Sequence, residues 1–61
     1  MQEFYLHYDI VYDDDDFLTD STIIEAKKLK DAKSILEKAI RELEPSIELV
    51  RFHKDCHEHK K

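Results

Sequence analysis

The sequence predicts an α+β domain, a small three-stranded sheet with one helix packed on one face, in the order β-β-α-β. Three observations predict it. Residues 3–12 alternate between two sets of side chains, residues 28–44 carry a helical apolar stripe that stops at Pro45, and residues 46–54 form a short β-branched and aromatic run.

The first strand is read from EFYLHYDIVY. Phe4, Leu6, Tyr8, Ile10 and Tyr12 share one parity, and Tyr5, His7, Asp9 and Val11 share the other. Successive side chains of a strand point to opposite faces, so the first set is expected against the core. Tyr8 and Tyr12 are expected against the helix, with their hydroxyls at its margin. Asp13, Asp14, Asp15 and Asp16 come next. Four adjacent carboxylates repel one another and have poor strand propensity, so a loop or hairpin connection is expected there. Phe17 and Leu18 are expected to fold back from that loop as a hydrophobic plug.

Residues 22–26, TIIEA, admit two readings. Thr22 and Glu25 have capping-box spacing, which would start the helix near residue 23. Helical steps, however, carry Ile23 and Ile24 off the apolar stripe. A strand places Thr22, Ile24 and Ala26 on one face and Ile23 and Glu25 on the other, and is the preferred reading. It leaves the helix with a poor start. Lys27 and Lys28 neither cap well nor suit the positive end of the helix dipole, and only Asp31 helps.

In the helix, Leu29, Ala32, Leu36, Ala39, Ile40 and Leu43 lie on one stripe, with Ile35 at its edge. The other face offers Lys33–Glu37, Glu37–Arg41 and Lys38–Glu42 at i,i+4 spacing, roughly 0.2–0.5 kcal/mol per pair. Pro45 restricts Glu44 and stops the helix. In the third strand, SIELVRFHK, Ile47 and Leu49 share one parity while Val50 and Phe52 share the other. A central position contacted on both faces, or a bulge, accounts for this. The face away from the helix is expected to show Tyr5, His7, Val11, Ile23 and one set from the third strand, an apolar candidate contact surface.

A chain of 61 residues makes one domain at most. We read residues 1–54 as a single ββαβ domain and 55–61 as a polar C-terminal tail. A domain this short has marginal stability, and metals, partners or dimerisation often support such folds. Cys56 is the lone cysteine, so no disulfide forms within the chain, which fits a reducing compartment. There is no membrane-length apolar stretch, and the N-terminus lacks the pattern of a secretory signal. A cytoplasmic location is expected. The net charge of −5 is unevenly spread: residues 1–26 carry eight acids and no Lys or Arg, whereas residues 27–61 carry all ten bases and seven acids. Such asymmetry steers encounters with a charged partner, and also suits a domain end that is merely solvated.

The segments FYLHYDIVY, TIIEAKKLKDAKSILEKAI and SIELVRF together resemble small single-domain ββαβ proteins of phages and mobile elements. The resemblance implies the fold and an origin, with the host cytoplasm as location if the chain is phage-encoded. It also implies roles such as host takeover, inhibition of defence systems or DNA mimicry. It carries over no catalytic residues.

The acidic run is the most visible candidate site. Spaced carboxylates imitate a phosphate backbone and occupy a basic nucleic-acid groove, an attraction that depends strongly on salt. The run lacks the alternating ligands and glycine of a calcium loop, and it also reads as a solvated loop. The C-terminal HKDCHEHKK gathers His53, Cys56, His57 and His59, all zinc-type ligands. Cys56 and His57 are adjacent, which makes joint ligation awkward, and His7 is the one histidine elsewhere. The same segment reads as a polar tail. Nucleophilic catalysis by Cys56 with His57 or His53 would need a positioned base and an oxyanion hole, for which a short chain without glycine has little means. Direct nucleic-acid binding is not expected from an acidic chain whose helix alternates bases with acids.

The function expected is therefore that of a non-enzymatic protein-binding module, an inhibitor of a host protein, with nucleic-acid-binding proteins among the candidate targets. Asp13, Asp14, Asp15, Asp16 and Asp20 would supply charge, and Tyr5 and Phe17 apolar anchors. The alternatives are a small zinc-binding domain organised by His53, Cys56, His57 and His59, and a homodimeric structural module. No cofactor other than zinc is implied.

Overall fold

The computed structural model describes residues 1–60. It is an α+β domain with four strands and one helix: β1 (Gln2–Tyr12), β2 (Phe17–Ala26), α1 (Leu29–Leu43), β3 (Ile47–Phe52) and β4 (His57–Glu58). All pairing is antiparallel, and β1 is the axis of the sheet. β2 lies on one side of β1, from Gln2 opposite Ala26 to Val11 opposite Phe17. The other side is shared, with β3 opposite Tyr8–Tyr12 and β4 opposite Phe4 and Tyr5. No helix among the described residues is long and apolar enough to cross a membrane.

Residues 22–26 are strand, the second half of β2. The sheet begins earlier than expected, however. Phe17 and Leu18 do not fold back as a plug. They open β2 opposite Val11 and Ile10, and both are about half exposed. Their backbone groups are satisfied by the long β1 ladder, which outweighs closure of a short apolar plug.

The acids between the strands form a tight hairpin. Tyr12 N–H donates to the Asp16 carbonyl (2.8 Å), Asp15 N–H donates to the Tyr12 carbonyl (3.1 Å), and Asp15 has φ 66°. That is the pattern of a three-residue hairpin loop closed by a left-handed residue, a conformation aspartate tolerates better than most. The Asp14 carboxylate accepts from Asp16 N–H, and the Asp16 carboxylate from Phe17 N–H.

The parity conflict in β3 is resolved by a bulge. Tyr12 faces Ile47 but Val11 faces Leu49, so Glu48 is the extra residue. Ile47 and Val50 are thereby both buried against the helix, while Leu49 and Arg51 turn to the open side. The bulged Glu48 carbonyl accepts from Arg41 Nη2 (3.4 Å), and Arg41 Nε also pairs with Glu37 (3.2 Å). One arginine thus ties the last turn of α1 to the irregular point of β3.

The core unites Phe4, Leu6 and Tyr8 of β1, Ala26 of β2, Ala32, Leu36 and Ile40 of α1, and Ile47 and Val50 of β3. Ile10, Tyr12, Ile24, Leu29, Phe52 and Cys56 close its margins. The aliphatic stem of Lys33 carries its ammonium over the Phe52 ring (5.4 Å). Of the expected helical stripe, Ala39 and Leu43 stay exposed, because the line of closest approach to the sheet runs through Ala32, Leu36 and Ile40 at four-residue spacing. The helix start is as bare as its sequence suggests: Lys28 occupies the N-cap with extended backbone and makes no side-chain cap.

Candidate functional site

The sheet has one face under α1 and one face open. By register, the open face carries Tyr5, His7, Asp9 and Val11 from β1, Phe17, Thr19 and Ile23 from β2, Leu49 and Arg51 from β3, and His57 from β4.

At one end, next to the hairpin, Phe17 and Leu49 flank Val11 across the three strands. Phe17 is 56% and Leu49 38% exposed, so this apolar strip faces solvent beside four exposed aspartates. The Arg51 guanidinium lies over the Phe17 ring at 5.9 Å, which fixes the ring by a cation–π contact.

The middle of the face is built on Asp9. Its residue is only 4% exposed although no helix covers it. Thr19 Oγ1 donates to its Oδ1 (2.7 Å), Arg51 donates to its Oδ2 from Nη2 (2.7 Å) and Nε (3.1 Å), and His53 Nε2 donates to its Oδ1 (2.8 Å). These donors come from β2, β3 and the residue after β3, so one carboxylate stitches three chain segments. The His53 hydrogen bond, then those from Thr19 and Arg51, hold the Asp9 carboxyl far below the usual carboxylate range, against the opposing effect of burial. No buried side-chain polar atom among the described residues lacks a partner.

Beyond Asp9, the imidazoles of His53 and His7 stack with centroids 4.0 Å apart. His7 Nδ1 lies 3.1 Å from both carboxylate oxygens of Asp55. Ligand atoms of His7, His53 and Asp55 all fall within 4.8 Å of one another. Tyr5 ends the row against His57, with ring centroids 5.2 Å apart.

Residues 53–59 return to pair along β1 rather than trailing as a tail, and Lys61 lies outside the described residues. His53 N–H donates to the His7 carbonyl (2.8 Å), residues 54–55 turn outward, and β4 then resumes pairing with β1, followed by His59 N–H to the Glu3 carbonyl (2.8 Å). Cys56 fills the gap. Its Sγ accepts from His7 N–H (3.3 Å) and donates to the His7 carbonyl (3.5 Å), replacing a backbone rung with a thiol. The sheet therefore runs through Glu58, four residues past the expected boundary at 54.

This placement divides the four residues first considered for zinc. His53 alone lies in the cluster. Cys56 packs against the core, His57 Nδ1 donates to the Asp55 carbonyl (2.7 Å), and half-buried His59 lies beyond β4. The cluster instead recruits His7 from β1 and Asp55 from the turn. Among the residues considered for partner binding, Asp13 to Asp16 and Phe17 are contiguous. Tyr5 shares their face but sits at its far end, about 20 Å away at ~3.3 Å per residue. Asp20 is exposed on the opposite parity of β2, where its charge and above all burial push the Tyr8 hydroxyl pKa up.

Asp9, Arg51, Thr19 and Asp55 carry no motif. The signal in the sequence was Asp9 itself, a lone carboxylate inside an aromatic strand, where it requires donors from neighbouring strands. The chain matches no family model, no curated protein and no solved structure, so its resemblance to small phage and mobile-element proteins rests on the pattern of its three segments.

Proposed function

We propose that the protein is a non-enzymatic binding module that docks on a basic protein surface through the acidic hairpin and the adjoining end of the open sheet face. The observation that carries this reading is the adjacency of Asp13, Asp14, Asp15 and Asp16 to the exposed strip of Phe17, Val11 and Leu49. Protein interfaces combine an apolar centre rich in aromatic residues with a polar rim, and this end of the molecule offers both within one hairpin. The hairpin's backbone is closed by hydrogen bonds, and two of its carboxylates, Asp14 and Asp16, are held by backbone N–H groups. Preorganised charge of this kind speeds encounter with a basic surface. Tyr5 adds a second apolar contact at the far end, whereas Asp20, on the opposite face of β2, lies outside this surface.

The resemblance to phage-type proteins narrows the partner to a host protein that binds nucleic acid, with the hairpin carboxylates standing in for phosphates. The test is capture from a bacterial lysate at low and high salt. The wild-type chain is compared with the variant carrying D13N, D14N, D15N and D16N, and with Phe17→Ala. A nucleic-acid-binding protein retained at low salt, released at high salt and absent from both variants is the expected result. Retention of nothing specific, or equal retention by all three chains, overturns the reading.

A further inference from the structure

The geometry points to a divalent transition-metal site on the open face, made by His7, His53 and Asp55, with zinc as the ion it suits. Ligand atoms of the three residues lie within 4.8 Å of one another and come from two separate parts of the chain, β1 and the segment after β3, with the two imidazoles stacked at 4.0 Å. That is the arrangement by which a metal ties two elements of a small fold together. Two imidazoles and a carboxylate are a nitrogen and oxygen set that suits zinc, and three protein ligands leave a fourth tetrahedral position open to solvent. The spacing fits as well. Zinc bonds of about 2.1 Å at tetrahedral angles separate neighbouring donor atoms by about 3.4 Å, and His7 Nδ1 stands 3.1 Å from each Asp55 oxygen.

The surroundings orient one ligand in advance. His53 Nε2 donates to the Asp9 carboxylate (2.8 Å), so this nitrogen carries the proton and Nδ1 keeps its lone pair. A carboxylate behind a histidine is the usual outer support of a metal-binding imidazole. Asp9 is itself fixed by Thr19 and Arg51, so His53 is held in place, and a shared ion requires the His7 ring to rotate out of its stack on His53. The ion would lock residues 53–55 onto β1 where the edge ladder is interrupted between β3 and β4.

The test is zinc titration of the untagged protein by calorimetry, with melting followed in parallel. One zinc per chain is expected, with a melting temperature raised by about 10–20 °C at a hundredfold excess over Kd. Asp55→Asn and His7→Gln should each weaken binding at least tenfold. The double substitution His57→Ala with His59→Ala should leave it within twofold. Asp55 is exposed, so circular dichroism of Asp55→Asn separates lost ligation from lost fold. No zinc uptake by the folded wild type overturns the site. So does affinity that survives both Asp55→Asn and His7→Gln, or that disappears with His57 and His59.

Discussion

Asp9 and Arg51 face each other across β1 and β3, and the guanidinium donates twice to a single carboxylate oxygen, from Nη2 at 2.7 Å and Nε at 3.1 Å. A half-exposed arginine thereby completes the satisfaction of a buried carboxylate on the side of the sheet that no helix covers.

This arrangement makes the fold sensitive to acid. The folded-state pKa of Asp9 lies below its ordinary value of 3.8. A depressed carboxylate contributes stability that is fully present above the unfolded pKa and is lost as pH falls from there toward the folded pKa. Melting temperatures measured with a chelator from pH 6 to pH 2 should fall most steeply below about pH 4. Asp9→Asn should melt lower at pH 6 and show a flatter acid limb. Parallel curves for the two proteins would remove Asp9 as the cause.

The bulge at Glu48 sets which side of β3 faces the helix. Deleting Glu48 restores strict alternation with Ile47, Val50 and Phe52 all on the helix side, opposite Tyr12, Ile10 and Tyr8. Were Glu48 a regular strand residue, its deletion would turn one of these side chains outward at about 1.5–3 kcal/mol, which a domain of this size can hardly spare. The deletion should therefore keep a cooperative thermal transition, and its loss would contradict the assignment of Glu48 as the bulged residue. Arg41→Ala, which removes only the contacts to Glu48 and Glu37, should cost about 1 kcal/mol by urea denaturation.

Much of this fold was legible in the sequence, and the exceptions have particular causes. The parity of Phe4 to Tyr12 fixed the core face of β1, and the mismatch of Ile23 and Ile24 with the helical stripe identified β2. The conflict of Ile47 and Leu49 with Val50 and Phe52 left open a bulge or a strand contacted on both faces, and the register shows the bulge. Phe17 and Leu18 were misjudged because four acids suggested a longer loop than a three-residue turn. The cluster of His7, His53 and Asp55 was hidden because His7 lies more than forty residues from the other two in sequence. Only the register of β1 with β3 and β4 brings them together, and a thiol rung at Cys56 has no sequence signature.

The uncapped helix invites a stabilising substitution. Lys28 already has the extended backbone of an N-cap, with φ −142° and ψ 157°. Lys28→Asp supplies an acceptor for the free N–H groups and suits the dipole, so stability should rise by about 1 kcal/mol. Urea denaturation measures it, and an unchanged or lower midpoint would show that the first turn is frayed in solution.

The hairpin offers a second case. Asp15 adopts φ 66°, a region glycine enters without penalty. Asp15→Gly should stabilise the fold by up to about 1 kcal/mol, and Asp15→Val should destabilise it by more than that. Equal midpoints for the two variants would contradict the left-handed turn.

The most direct test of the binding account is the association rate with the captured partner, measured at low salt for the wild type and for the chain with D13N, D14N, D15N and D16N. The account predicts at least a tenfold slower association for the variant, a nearly unchanged dissociation rate, and a difference that vanishes at high salt. Equal association rates at low salt would contradict it and leave the four aspartates as a solvated turn.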